Sequence, residues 1–124
     1  MLRLRCAMLF VKEMAPMLAF YRDAMGFAVL GDASDPNWVE LDAGGATIAL
    51  HVIPPAHAAD IVITAPPAAR EDSPVKLIFE VPDVAEARAR LASRGAVMHA
   101  LRSWGTCDGL DPEGNVFQLA PSRR

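Results

Sequence analysis

The chain carries one short pattern twice, about 70 residues apart. In each copy an amphipathic stretch runs from a valine to a glycine, and a turn and a closing hydrophobic segment follow. The matching positions are Val11 and Val81, Gly26 and Gly95, and Leu50 and Leu119, which are 70, 69 and 69 residues apart. Two copies of so small a unit need to share a core, so we expect them to pack on each other and to leave a cleft where they meet.

Length, composition and charge limit the classes of function. The 124 residues are 52% hydrophobic and 22% charged, which is typical of one globular domain. The net charge is −3 and no dense stripe of Lys and Arg occurs, so nucleic acid is not an expected partner. The apolar run 6–11 is too short for a signal peptide or a membrane span. Two cysteines far apart in sequence, without an export signal, predict a cytoplasmic protein with no membrane partner.

The first copy has the pattern of a strand, a helix and three further strands. Residues 4–11 have apolar side chains on both faces, which predicts a strand covered on both sides. Apolar residues then recur at helical spacing from Met14, and Gly26 ends the helix. Three strands are predicted to follow, at residues 27–30, 37–41 and 46–52.

The second copy repeats this order. A strand at 75–81 precedes a helix that Asp83 caps, with Glu86 completing a capping box and Gly95 ending the helix. Further strands are predicted at 96–101, 106–110 and 115–120, with a tight hairpin at 111–114. Within a single domain, 1–124, the modules are expected at about 1–55 and 73–122. A proline-rich connector, 54–74, joins them, and a short strand at 61–64 is expected inside it.

Several short motifs carry a family resemblance when they occur together. They are Val11-Lys12-Glu13, Phe20-Tyr21 followed by Gly26-Phe27, Val81-Pro82-Asp83, and Asp111-Pro112-Glu113-Gly114-Asn115. Over essentially its whole length the chain resembles the vicinal-oxygen-chelate superfamily, which holds glyoxalase I, bleomycin-resistance proteins, fosfomycin-resistance enzymes and extradiol dioxygenases. The resemblance implies an α+β fold in which tandem βαβββ modules form an open, barrel-like mixed sheet. It also implies a homodimer and a cleft that holds a metal or another ligand.

The resemblance implies four positions for metal ligands, and this chain is unusual at three of them. The positions hold Cys6, Ala49, Lys76 and Gln118, where the family's enzymes generally carry His, Glu or Gln. Alanine offers no ligand atom, and a lysine ammonium has only donors and repels a dication. We therefore expect no metal and no cofactor at the usual place.

Lys76 is the residue that bears most directly on function. By strand alternation it shares a face with Ile78 and Glu80, and the resemblance implies that this face looks into the cleft. In one interpretation Lys76 extends to the cleft mouth or pairs with Glu80. In the other it anchors an anionic or carbonyl-bearing ligand, or donates a proton if burial lowers its pKa.

Other polar residues of the expected cleft also have two interpretations. Cys6 is either a small buried hydrophobic residue or a reactive thiolate, and His51 is either structural or in contact with a ligand. A zinc site made of Cys6, His51 and Gln118 would require Lys76 to move away.

Two tryptophans precede equivalent strands of the two copies. Trp38 and Trp104 are either core or dimer-interface residues, or a flat apolar wall for a ligand that contains a ring. Cys107 and His99 are predicted to be structural.

The leading functional prediction is a metal-independent protein that binds a small polar or anionic organic molecule. The predicted ligand-binding residues are Cys6, His51, Lys76, Trp104 and Gln118. The alternative is a glyoxalase-type lyase or isomerase, or a dioxygenase-like enzyme, with a non-standard active site. A third class, a structural partner module, would have its cleft filled by side chains.

Overall fold

Two four-stranded mixed sheets form the framework of the computed structural model, which describes residues 1–123. In chain order the elements are β1 (Ala7–Val11), α1 (Met14–Ala19), a π-helical segment (Phe20–Ala24), β2 (Ala28–Leu30), β3 (Trp38–Asp42), β4 (Thr47–Val52), α2 (Pro55–Ala58), β5 (Leu77–Val81), α3 (Val84–Ser93), β6 (Val97–Met98), β7 (Cys107–Leu110) and β8 (Val116–Pro121). The chain divides into two compact units, Met1–Val62 and the remainder from Ile63 onward. The predicted α+β class and the βαβββ order of each copy are confirmed. Within residues 1–123, no helix has both the length and the hydrophobicity needed to cross a membrane.

The first unit contains a sheet of order β1-β4-β3-β2. Strand β1 is parallel to β4, and the other neighbours are antiparallel. The predicted helix at 14–26 is present, but it changes after Ala19 from α-helical to π-helical hydrogen bonding. Met17 and Tyr21 from these two segments are fully buried. Gly26 has a φ of +85°, which ends the helix as predicted.

Strand β1 is covered on one face, so the prediction of a strand covered on both faces is wrong. Val11 is completely buried, whereas Met8 and Phe10 on the opposite face are 39% and 52% exposed. Helix α1 packs against β4, the strand next to β1. The apolar residues of the other face therefore remain in contact with solvent.

The second unit contains a sheet of order β5-β8-β7-β6, with β5 parallel to β8. Helix α3 packs against β6 and β8 and buries Val84, Ala87 and Leu91. The predicted helix cap is confirmed, because the Asp83 carboxylate accepts a hydrogen bond of 3.0 Å from the backbone N–H of Glu86.

Two predicted strands differ from the structure. The strand expected at 96–101 is reduced to β6, because the chain turns beyond His99 and the Arg102 N–H bonds to the Thr106 carbonyl at 2.8 Å. The strand expected at 61–64 is absent. The Ile61 N–H bonds to Ala58 in the turn after α2, and the Ile61 carbonyl accepts from the Lys12 ammonium, so this backbone is not available to a sheet.

The predicted hairpin at 111–114 also holds the connector in place. Asp111 is completely buried, and its carboxylate accepts backbone N–H bonds from Glu113 at 3.0 Å and Asn115 at 2.9 Å. At the tip, the Gly114 carbonyl accepts from the N–H of Arg70 at 2.9 Å. A buried carboxylate thus fixes the turn, and the turn fixes residues of the connector.

We expect Gly114→Ala to destabilise the protein more than Gly44→Ala. Both glycines have positive φ, +86° and +84°, so both variants incur a backbone strain of about 1–2 kcal/mol. A Cβ added at Gly114 would in addition collide with the backbone oxygen of Ala68, whereas nothing lies within 4 Å of a Cβ at Gly44.

Urea unfolding of the two variants measures this difference. The free energy of unfolding should fall by about 1–3 kcal/mol more in Gly114→Ala than in Gly44→Ala. Equal losses would contradict the close packing of the hairpin against the connector.

Candidate functional site

A buried carboxylate on β7 is at the centre of the main polar cluster of the second unit. Asp108 is only 5% exposed. The Arg102 guanidinium donates to both of its oxygens, from Nη1 to Oδ1 at 3.0 Å and from Nη2 to Oδ2 at 2.7 Å. The Lys76 ammonium donates to Oδ2 at 3.0 Å. One anion therefore holds two cations side by side.

Strand alternation explains why Asp108 points away from helix α3. Asp108 lies opposite Gln118 on β8, which in turn lies opposite Ile78 on β5, so these side chains share the face of the sheet that α3 leaves uncovered. The next residue, Gly109, lies on the covered face opposite Phe117. A Cβ at Gly109 would come within 2.6 Å of the Phe117 ring, so glycine at this position allows the helix-side packing.

The electrostatics of the cluster keep Asp108 ionised. The Arg102 hydrogen bonds lower the pKa of Asp108 below its ordinary value, the Lys76 interaction lowers it further, and burial opposes both without reversing the shift. The same contact raises the pKa of Arg102. Asp108 is therefore an anion at neutral pH that orients two cations, and it is not suited to be a proton donor.

A cavity of about 320 Å³ adjoins this cluster. Its charged and polar lining consists of Lys76, Arg102 and Asp108, together with Arg70, Glu71, Ser73 and His99. The hairpin that holds the connector sets the place of Arg70, whose guanidinium also lies 3.8 Å from the buried Glu113 carboxylate. His99, predicted to be structural, is one of the lining residues. Its backbone carbonyl accepts a hydrogen bond of 2.7 Å from Arg88.

Trp104 stands beside the same cluster. The Arg102 guanidinium carbon lies 5.6 Å from the centre of the indole, within the range of a cation–π contact. The indole residue is 71% exposed. A core position is therefore wrong for Trp104, whereas a place in a dimer interface and a contact with a ligand both stay predictions.

The structure divides the five predicted site residues between the two units. Lys76, Trp104 and Gln118 lie in the second unit, around or next to Asp108. The predicted pairing of Lys76 with Glu80 is wrong, because the ammonium binds Asp108, and Glu80 lies 3.9 Å from Arg123. The long lysine side chain reaches across the sheet to the more buried carboxylate.

Cys6 and His51 lie in the first unit and are far from each other. The ring of His51 lies between those of Phe10 and Trp38, with centroid distances of 5.7 Å and 5.5 Å. Since Phe10 is opposite His51 in the parallel ladder, Cys6 is four residues away along the sheet, or about 13 Å. The two side chains therefore cannot share a metal ion, so the predicted zinc alternative is wrong.

The residues at the positions implied for metal ligands do not fit a metal ion. Ala49 is buried, and its side chain has no atom that can bind a metal ion. The Asp108 oxygen that could bind one is already hydrogen-bonded to the Lys76 ammonium. Among residues 1–123, no three His, Cys, Asp or Glu side chains are grouped so that they could hold one. The groups that this site offers to a ligand are therefore an ammonium, a guanidinium and a carboxylate.

Sequence reasoning missed Arg70, Arg102 and Asp108. The only signal available was their charge, because the strand register and the loop before β7 bring them together. The structural role predicted for Cys107 is confirmed, since it is fully buried and burial raises the pKa of its thiol.

The chain matches one family model and several solved structures of similar fold. The family model described as a glyoxalase-like domain matches residues 6–120. No curated protein sequence matches the chain.

Several solved structures are similar over nearly their whole length. The fosfomycin resistance protein FosX of Listeria monocytogenes has 15% identity and a TM-score of 0.73, with 98% of this chain and 94% of that chain covered. The antibiotic binding protein TnmS3 of Streptomyces sp. CB03234 has 23% identity and a TM-score of 0.62, with 98% of both chains covered. Lactoylglutathione lyase of Agrobacterium tumefaciens has 17% identity and a TM-score of 0.65, with 97% and 93% covered. At these identities the likeness establishes the fold.

We expect Asp108→Asn to lower the free energy of unfolding by about 1.5–3 kcal/mol at neutral pH, because two cations lose their charged partner. The matched control is Asp23→Asn, which weakens an exposed pair with Arg22 and should lower the free energy of unfolding much less, because water screens that pair.

The pH dependence of this loss tests its electrostatic origin. A carboxylate with a lowered folded-state pKa stabilises the protein above the unfolded-state pKa of about 3.9, and the contribution disappears as the pH falls through the folded-state pKa. Urea unfolding at a series of pH values should therefore show the wild-type and Asp108→Asn curves converging in acid. A constant difference would contradict this account of the cluster.

Proposed function

Since the chain belongs to the glyoxalase-like domain family, we propose that it binds a small organic anion in the cavity of its second unit without the help of a metal ion. The observation that supports this most is the pair of cations, Lys76 and Arg102, held together by Asp108 at the cavity.

Both cations have hydrogen-bond donors left for a ligand. A lysine ammonium has three N–H donors and a guanidinium has five, and the hydrogen bonds to Asp108 use one donor of Lys76 and two of Arg102. The side chains of Lys76 and Arg102 are 41% and 34% exposed, so they are accessible. Two cations and one anion leave this cluster with a net charge of +1. An anion is the ligand that this charge favours.

The size and the lining of the cavity favour a small organic molecule. Its volume of about 320 Å³ is at the lower end of the range for ligand sites. Val75 and Val116 add apolar surface to the charged lining. Together these features favour a molecule with a compact apolar body and one acidic group.

The named neighbours are consistent with a binding protein and with an enzyme. TnmS3 is called an antibiotic binding protein, whereas a lyase is also among the similar structures. Binding through Lys76 and Arg102 needs nothing beyond the observed cluster, so it is the function that we propose. Trp104 and Gln118 belong to the proposed site, and Cys6 and His51 stay predictions as ligand contacts.

An acid–base enzyme is the second candidate, and His99 is the observation that favours it. Removal of a proton next to a carbonyl needs a base and a positive group that stabilises the resulting enolate. His99 lines the same cavity as Lys76 and Arg102, so a candidate base and two positive groups adjoin one space.

We expect metal-free protein to bind benzoate and Lys76→Met to bind it about 10- to 100-fold more weakly, since a hydrogen bond to a charged group is lost. Isothermal titration calorimetry in the presence of a chelator measures both affinities. Arg94→Gln is the control, because it removes an exposed cation that is not among the cavity-lining residues. Absence of saturable binding, or binding that requires an added metal, would contradict the proposal.

Hydrogen exchange at carbon separates the enzyme from the binding protein. With pyruvate in D₂O, a binding protein should leave the rate of methyl-proton exchange at its background value, as followed by NMR. Exchange that the metal-free protein accelerates, and that His99→Ala abolishes, would favour the enzyme instead.

A further inference from the structure

We propose that the site selects monoanionic carboxylates over dianionic phosphates, because the Asp108 carboxylate is itself part of the anion-binding surface. This inference rests on the proposed function and specifies the ligand class of the same cavity. It follows from the geometry and the charge of three side chains, Lys76, Arg102 and Asp108.

The geometry brings the two cations to one oxygen atom. The Lys76 Nζ and the Arg102 Nη2 lie 3.0 Å and 2.7 Å from the same Asp108 Oδ2, so these two nitrogens are less than about 6 Å apart. A ligand carboxylate could bridge them with its two oxygens. In doing so it would lie close to Asp108 Oδ2, which accepts hydrogen bonds and has none to donate when ionised.

The charges nearest to the ligand then favour one negative unit over two. A carboxylate that bridges Lys76 and Arg102 places its single charge between the two cations. A second negative charge would face Asp108 without a further cation from the cluster, and like charges at this distance repel strongly where water is partly excluded. Arg70 does not add a net positive charge, because Glu71 lines the same cavity with the opposite charge and the buried Glu113 carboxylate lies 3.8 Å from the Arg70 guanidinium.

Protonation of Asp108 does not remove this repulsion at neutral pH. Its two oxygens accept three hydrogen bonds from cations, which favours the ionised form. The carboxylate therefore acts in two ways: it positions Lys76 and Arg102, and it excludes a doubly charged ligand. Asp108 is a specificity-determining residue in this account.

The experiment compares three ligands that share one ring: benzoate, phenyl phosphate and benzamide. At about pH 8 phenyl phosphate is a dianion, since the second pKa of a phosphate monoester is about 6. The chain has two tryptophans, so Trp38→Phe leaves Trp104 beside Arg102 as a fluorescent reporter. Titrations in this background should give an affinity for benzoate about tenfold or more above that for phenyl phosphate. The neutral benzamide should bind more weakly than benzoate.

Asp108→Asn in the same background tests the cause of the selectivity. It raises the net charge of the cluster from +1 to +2. Phenyl phosphate should then bind at least as tightly as benzoate. Asp72→Asn is the matched control, because it removes an exposed carboxylate that is not among the cavity-lining residues and should leave the affinity ratio unchanged.

The outcomes separate this inference from the proposed function. If phenyl phosphate binds to the unsubstituted cluster as tightly as benzoate, and Lys76→Met weakens both, the cavity binds anions but the selectivity inference is wrong. If neither anion binds better than benzamide, the proposed function itself is wrong. The comparison of ligands on the unsubstituted cluster stands even if circular dichroism shows that Asp108→Asn is unfolded.

Discussion

The contact between Asp108 and its two cations is the interaction on which the proposed function depends. Arg102 and Lys76 come from different segments, and without an anion between them their ammonium and guanidinium groups would repel each other. The buried carboxylate holds them at fixed positions and keeps itself ionised by the same bonds. Charged groups that are already oriented lose less entropy when a ligand binds, so this arrangement favours the proposed binding of an anion.

The fold positions this cluster through two structural devices. Alternation on β7 directs Asp108 to the face that α3 leaves uncovered, while Gly109 gives room for the packing on the helix side. The buried Asp111 fixes the hairpin, and the hairpin holds Arg70 at the cavity through the Gly114 carbonyl. A motif that indicates a tight turn in the sequence thus also shapes the proposed binding site.

The repeat, the order of elements and the cap of α3 could be predicted from the sequence because each depends on local patterns. The partner of Lys76 could not. Glu80 is its neighbour on the same strand, but Asp108 lies across the sheet, and only the strand register shows that they meet. The short β6 and the absence of a strand at 61–64 have a similar origin, since side-chain and turn hydrogen bonds replace the expected ladder. The apolar residues of β1 indicated a strand, but sequence does not show which face a helix covers.

Chemical-shift mapping by NMR tests the central claim most directly. In chelator-treated, ¹⁵N-labelled protein titrated with benzoate, we expect the largest amide shifts at Lys76, Arg102 and Asp108 and at their neighbours in the second unit. Shifts centred on Phe10, His51 and Trp38 of the first unit would contradict the assignment of the site. Shifts that appear only after a divalent metal is added would contradict metal-independent binding.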